Sequence, residues 1–301
     1  MGAALALLLV AVILVLVFRP PEAGPQPTAE PPAPASPTSP ASSTPQPLQS
    51  PDDTPEAGQA PVQPPATVPP VEVPPETPTE PGPEPPPAFP GTLRNQDLTV
   101  IPGAGRVVAL TFDAGANAAG LPKILATLSA KQVAATFFLT GNWAEANPAG
   151  VVQITGAGHR LANHSMTHPG FTGLSEGQIS QQVRGAEQVI LAAGGDPRPL
   201  FRFPYGERDP RTIAAVNNLG YVAVRWTIDT LGWKGTSGGI TAQTVADRTL
   251  AALQPGEIVL MHLGSNPDDG TTLDADALPV LIDRIRAAGY GFVTLDALLA
   301  P

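Results

Sequence analysis

No cysteine occurs in the 301 residues, which excludes a disulfide framework, a thiol nucleophile and a thiolate-bound metal. A phosphate loop is also missing. The glycine-rich run AAGGDP follows a helical pattern, whereas a phosphate cradle needs its glycines between a strand and a helix. No internal repeat is present. Lysine and arginine are absent between Pro20 and Pro90, a stretch that holds nine of the 26 acidic residues. The net charge of −10 is therefore local, and the rest of the chain carries 17 acids against 15 bases once Arg19 is set aside. That near neutrality implies no nucleic-acid partner and says nothing about the substrate.

About two-thirds of the 39 prolines fall in the same acidic stretch. Each removes a backbone donor and fixes φ, so neither helix nor sheet can form there. Residues 20–103 read as a disordered, solvated linker able to reach on the order of 200 Å if extended at about 3.1 Å per residue. Before it stands MGAALALLLVAVILVLVF, charge-free but for the terminal amine and about 27 Å long as a helix. Residues 1–19 are expected to be a transmembrane anchor, with a cleaved signal segment as the alternative, because no small-x-small site is evident in FRPPEAGP. The expected location is the cell membrane, single-pass and with the folded domain outside the cytoplasm, or secretion if the segment is cut.

From Arg106 onward short β-rich runs alternate with helical patterns. VVALTF, AATFFLTG, FRFP, YVAVRWTID, EIVLMHLG and GFVTL read as strands. LPKILATLSAKQ, a stretch ending at Gly158, the segment capped by Ser175, Thr241–Leu253 and Ala277–Ala288 read as helices. This βα rhythm predicts an α/β fold over residues 104–301, a distorted (β/α) barrel of about seven parallel strands. Chemistry in such folds collects at the C-terminal strand ends. Those ends hold Asp113, His164 and His168 of NHSMTH, Arg202 and Tyr205 of FRFPYG, and His262 of LMHLG. Three of the four histidines thus gather on one expected face. His164 and His168 are spaced i, i+4, which on a helical turn would point two imidazoles at one divalent ion. Asp113 could instead cap the helix near Leu121. Arg202 beside an apolar strand demands a carboxylate partner.

TFDAG, NHSMTH, FRFPYG, WTIDTLGW and IVLMHLG stand in the order and at roughly the spacing of the five motifs of the polysaccharide deacetylase family, carbohydrate esterase family 4, which the chain resembles from about Arg106 to Leu299. The resemblance implies metal-dependent removal of N-acetyl groups from a cell-envelope polysaccharide, peptidoglycan first. It implies one divalent cation, zinc first and cobalt or manganese next, and no obligate protein partner. Asp113 resembles the general base, His164 and His168 the imidazole ligands, and Arg202 the residue that orients the base. The Tyr205 N–H resembles the oxyanion donor, His262 the acid that protonates the leaving amine, and Trp233 and Leu260 the walls around the acetyl methyl.

Two positions depart from the family pattern. Ala114 stands where a second, metal-binding aspartate is usual, and Gly232 stands where the partner of the catalytic histidine is usual. Three readings follow: Asp113 moves onto the ion as a third ligand; Asp113 stays a base while Asn117 or solvent fills the gap; or the domain is a tethered glycan-binding module that kept the fold without turnover. Asp229, the first aspartate of the fourth motif, is the candidate to support His262.

Overall fold

The computed structural model describes residues 89–300. The expected anchor and most of the expected linker lie outside the described residues, among which no helix is long and apolar enough to cross a membrane. The expected linker boundary at residue 103 is too late, because Phe89, Leu93, Leu98 and Ile101 are buried in one cluster with Ala109, Leu200 and Ile258. Apolar side chains that can be covered by a sheet are taken out of water even when the sequence around them is rich in turns.

Among the described residues eight strands form one parallel sheet: β1 (Val107–Ala114), β2 (Thr136–Leu139), β3 (Arg160–Asn163), β4 (Leu200–Phe201), β5 (Val222–Ala223), β6 (Ile228–Asp229), β7 (Glu257–His262) and β8 (Gly291–Phe292). The path runs β5-β4-β3-β2-β1-β7-β6, with β8 added beside the start of β1. This is the expected parallel α/β arrangement with seven strands on the path.

YVAVRWTID was expected to be one strand and is two. Its first half pairs with β4 and its second with β7, so this segment turns across the gap between the two edges. In the turn, Arg225 N–H goes to Leu98 and Thr227 N–H to Ile258. From within, Arg202 donates to the carbonyls of Val224 and Arg225.

The helices are α1 (Leu121–Lys131), α2 (Gly141–Ala146), α3 (Pro148–Gly156), α4 (Glu176–Ala192), α5 (Pro210–Asn218), α6 (Ala242–Ala251) and α7 (Leu273–Ala287). The single helix expected to end near Gly158 is split at Asn147, where Pro148 opens α3, because a proline disfavours helical backbone in the residue before it. Helix α4 starts as expected, with Ser175 and Gln178 forming a capping box. It buries Ile179, Val183, Ala186 and Ile190 at helical spacing. Helix α5 carries its own signals, an Asp209 cap followed by Pro210.

Alternation along β1 sets up the site. Val108, Leu110, Phe112 and Ala114 belong to the large core shared with α1 and α7, while Ala109 packs in the other cluster. Thr111 and Asp113 share the face of Ala109, since side chains alternate along a strand.

Candidate active site

Asp113, His164, His168, Tyr205, Asp229, Trp233, Leu260 and His262 line one cleft of about 590 Å³. Asp113 and three histidines thus line the same cleft. Asp113 does not cap α1, whose N-cap is Gly120.

Arg202 follows β4 directly and is almost wholly buried. Its Nη1 donates to Asp113 Oδ1 at 2.7 Å and to Thr111 Oγ1 at 2.9 Å, and its guanidinium lies 3.9 Å from the centre of the Phe138 ring. The carboxylate partner demanded from sequence is Asp113. Burial would raise the Asp113 carboxyl, but Arg202, then His164 and His262, outweigh it and hold the group below the ordinary carboxylate range. Thr111 was missed from sequence, although its place two residues before Asp113 on one strand puts both on one face.

His164 and His168 meet, but not on a helical turn as expected. Ser165 and His168 have φ of 70° and 61°, which a right-handed helix forbids. The loop is held instead by Ser165 N–H on Asn163 Oδ1 and His168 N–H on Ser165 Oγ. His164 Nδ1 lies 2.9 Å from the Arg202 carbonyl. A carbonyl cannot donate, so Nδ1 carries the proton and Nε2 presents a bare lone pair. Burial pushes His164 down to about 4 and lowers His168 as well, leaving both imidazoles neutral near pH 7.

His164 Nε2 stands 3.1 Å from His168 Nε2 and 3.3 Å from Asp113 Oδ2. Two ligands on a tetrahedral ion with bonds of about 2.0–2.1 Å are separated by about 3.3 Å, so these spacings and the donor chemistry fit a divalent cation. Among the described residues no three or more His, Cys, Asp or Glu side chains form a group placed to hold a metal, so the donor set is the imidazole pair alone. The methyl of Ala114 lies in the core, fully buried. Asn117 is unsuited to fill the gap, because its Oδ1 accepts from Ala119 N–H and Ser265 N–H, each at 3.0 Å.

Tyr205 also has a positive φ, 58°, within the short turn Pro204–Gly206. Its ring is 67% exposed and meets His168 edge-on. Across the cleft Trp233 is 46% exposed, and Leu260 is buried in the wall. Non-glycine residues at positive φ cost of order 1–3 kcal/mol each, and Ser165, His168, Tyr205 and Leu231 all lie in or beside the cleft.

His262 ends β7. Asp229 is not its support: Asp229 Oδ1 accepts Leu231 N–H and Oδ2 accepts Trp233 Nε1–H. The carboxylate beneath His262 is Asp274 of α7, which sequence reading missed. That helix was expected to begin at Ala277, which left Asp274 in a loop, where an acid reads as ordinary solvation.

A profile of the family described as Polysaccharide deacetylase matches residues 101–224. The peptidoglycan-N-acetylglucosamine deacetylase of Bacillus cereus is 34% identical over 191 residues, 64% of this chain and 67% of that protein. The chain belongs to the polysaccharide deacetylase family. Another deacetylase relative, the chitooligosaccharide deacetylase of Sinorhizobium fredii, is also 34% identical over 191 residues, 61% of this chain and 87% of its own. Among solved structures, the Bc1960 peptidoglycan N-acetylglucosamine deacetylase superposes with a TM-score of 0.61 at 32% identity, covering 67% and 92% of the two chains. A mutant of BA3943, a family pseudoenzyme from Bacillus anthracis with restored enzymatic activity, superposes with a TM-score of 0.59 at 30% identity, covering 65% and 68%.

Proposed function

We propose that this chain removes N-acetyl groups from a cell-envelope polysaccharide, with peptidoglycan as the first candidate, and that the reaction needs a divalent cation, zinc first. The observation that carries this reading is the convergence of Asp113, two neutral imidazoles and His262 in one cleft. A cation held by His164 and His168 supplies Lewis-acid polarisation of the acetyl carbonyl and lowers the pKa of water.

The chain's own groups do the rest. Arg202 occupies Asp113 Oδ1 and leaves Oδ2 to accept a proton from the attacking water. The Tyr205 N–H donates to the oxygen on which negative charge develops. As the carbonyl carbon gains the water oxygen and loses nitrogen, His262 gives a proton to the departing amine, so acetate and a free amine leave. Trp233 and Leu260 enclose the methyl, and exposed Trp233 and Tyr205 faces are available to stack on sugar rings. Within this proposal the N-terminal segment places the domain outside the cytoplasm, beside that substrate.

Acetate release from N-acetylated glycan oligomers, with Zn²⁺, Co²⁺ or Mn²⁺ added, tests the reading. Release is expected, and His262→Ala is expected to lower kcat by about 10²–10⁴. A second reading, a glycan binder without turnover, is favoured by Ala114 and by the existence of a pseudoenzyme among similar structures. Binding of the oligomers with no release under any of the three ions would select it.

A further inference from the structure

Under His262 lies a built carboxylate pocket. Asp274 is 2% exposed. Its Oδ1 accepts from Thr230 Oγ1–H at 2.7 Å and its Oδ2 from the backbone N–H of His262 at 2.8 Å. Thr230 Oγ1 in turn accepts the Gly232 N–H at 3.3 Å, which leaves the hydroxyl hydrogen for this acid. His262 Nδ1 is sealed from solvent and makes no hydrogen bond to the protein among the described residues. Asp274 Oδ2 stands 3.9 Å from it. The ring keeps 30% exposure, so the edge turned to the cleft is the one bearing Nε2.

Space explains why Asp274 can be there. A β-carbon built on Gly232 would stand inside the Asp274 carboxylate. Gly232 is not among the residues at positive φ, so its backbone conformation does not demand glycine. The demand is steric, and the atoms that make it are those of Asp274. Position 232 and position 274 thus compete for one volume, and in this chain the carboxylate reaches it from α7.

We propose that Asp274 is the positioning residue of His262: its carboxylate, 3.9 Å from Nδ1, favours the proton there and turns Nε2 toward the leaving amine, from the volume that a longer side chain at position 232 would fill. The inference rests on the deacetylase reading for its chemical meaning, and on geometry alone for the pairing. Burial pushes the Asp274 carboxyl up to about 6, against the pull of His262 and Thr230, so the group is ionised above that pH.

Two readouts on the full chain test it. In the first, histidine is isotopically labelled and the four imidazoles are followed by nitrogen NMR, with His262 assigned from His262→Gln. The unsubstituted protein is expected to show neutral His262 protonated on Nδ1, and Asp274→Asn to shift the proton to Nε2, because the amide NH₂ then donates to Nδ1. In the second, Asp274→Asn lowers kcat for acetate release at least about tenfold with KM nearly unchanged. Asp274→Ala does the same, and Gly232→Asp with Asp274→Ala recovers most of the loss by restoring the carboxylate from the other side. An unchanged His262 tautomer in Asp274→Asn, or a double variant no better than Asp274→Ala while folded by circular dichroism, overturns the proposal. If the unsubstituted chain releases no acetate with any ion, the deacetylase reading fails and the tautomer alone judges the Asp274–His262 pair.

Discussion

The two walls of the cleft have each lost an aspartate of the family pattern, at Ala114 and at Gly232, and they differ in what became of the charge. On the wall of His262 a buried carboxylate returns from another helix, held by a hydroxyl and a backbone N–H. On the wall of His164 no carboxylate beyond Asp113 approaches the imidazole pair among the described residues. Asp113 itself is clamped by a guanidinium. On the proposed reading the cation side relies on one acid for two tasks, whereas the side of His262 keeps a second carboxylate nearby. Position matters as much as charge: Gly232 leaves room that a neighbouring carboxylate takes, while Ala114 is buried among the side chains of the large core.

Arg202→Met attacks the clamped wall hardest. It leaves Asp113 buried without its cation and is expected to cost about 3–5 kcal/mol, read as a fall in the urea midpoint at pH 7. A cost under about 1 kcal/mol, within the range of exposed pairs, would mean that the clamp is not what stabilises the acid.

A third buried carboxylate, Glu257, is the control, since it has no cation beside it. Its Oε2 accepts the Gln254 N–H, its Oε1 has no partner among the described residues, and burial pushes it up to about 7. Between pH of about 4.5 and 7 the folded protein keeps a Glu257 proton that the unfolded chain releases, so this group's contribution to stability falls as pH rises through that window and is level above it, opposite in sign to the contribution of buried His164. The fall is on the order of 3 kcal/mol. Glu257→Gln should abolish it in urea unfolding at pH 5 and pH 8.

Ala114→Asp sharpens the comparison from the other side. The metal-free variant should be less stable by about 2 kcal/mol for an acid placed in the core, and Zn²⁺ should raise its Tm more than it raises that of the parent. Equal zinc shifts in the two proteins would show that position 114 has no access to the ion. The smallest effect is expected from Trp233→Ala, a rise in KM of about fivefold with kcat nearly kept, matching about 1 kcal/mol of ring contact.

The strand-end residues were legible from sequence because each follows an apolar run whose direction the βα rhythm fixes. Asp113, His164, Arg202 and His262 all follow from that one inference. The contact of His164 with His168 was legible as a spacing but not as a shape, since left-handed backbone at Ser165 and His168 leaves no mark in periodicity. Asp274 was hidden for another reason. Its partners at positions 230, 232 and 262 are far away in sequence, and only the packing of α7 against the turn Gly232–Lys234 brings them together. The split of YVAVRWTID was equally hidden, because a strand that changes neighbours keeps the same apolar pattern throughout.

Arg202 reaches the segment joining β5 to β6 and the acid of the cleft with the same five N–H groups. A copy of the chain that failed to bring its two sheet edges together would leave the guanidinium unanchored and Asp113 unaimed. Correct assembly of the sheet and the aim of the cleft acid are thus tied to one side chain.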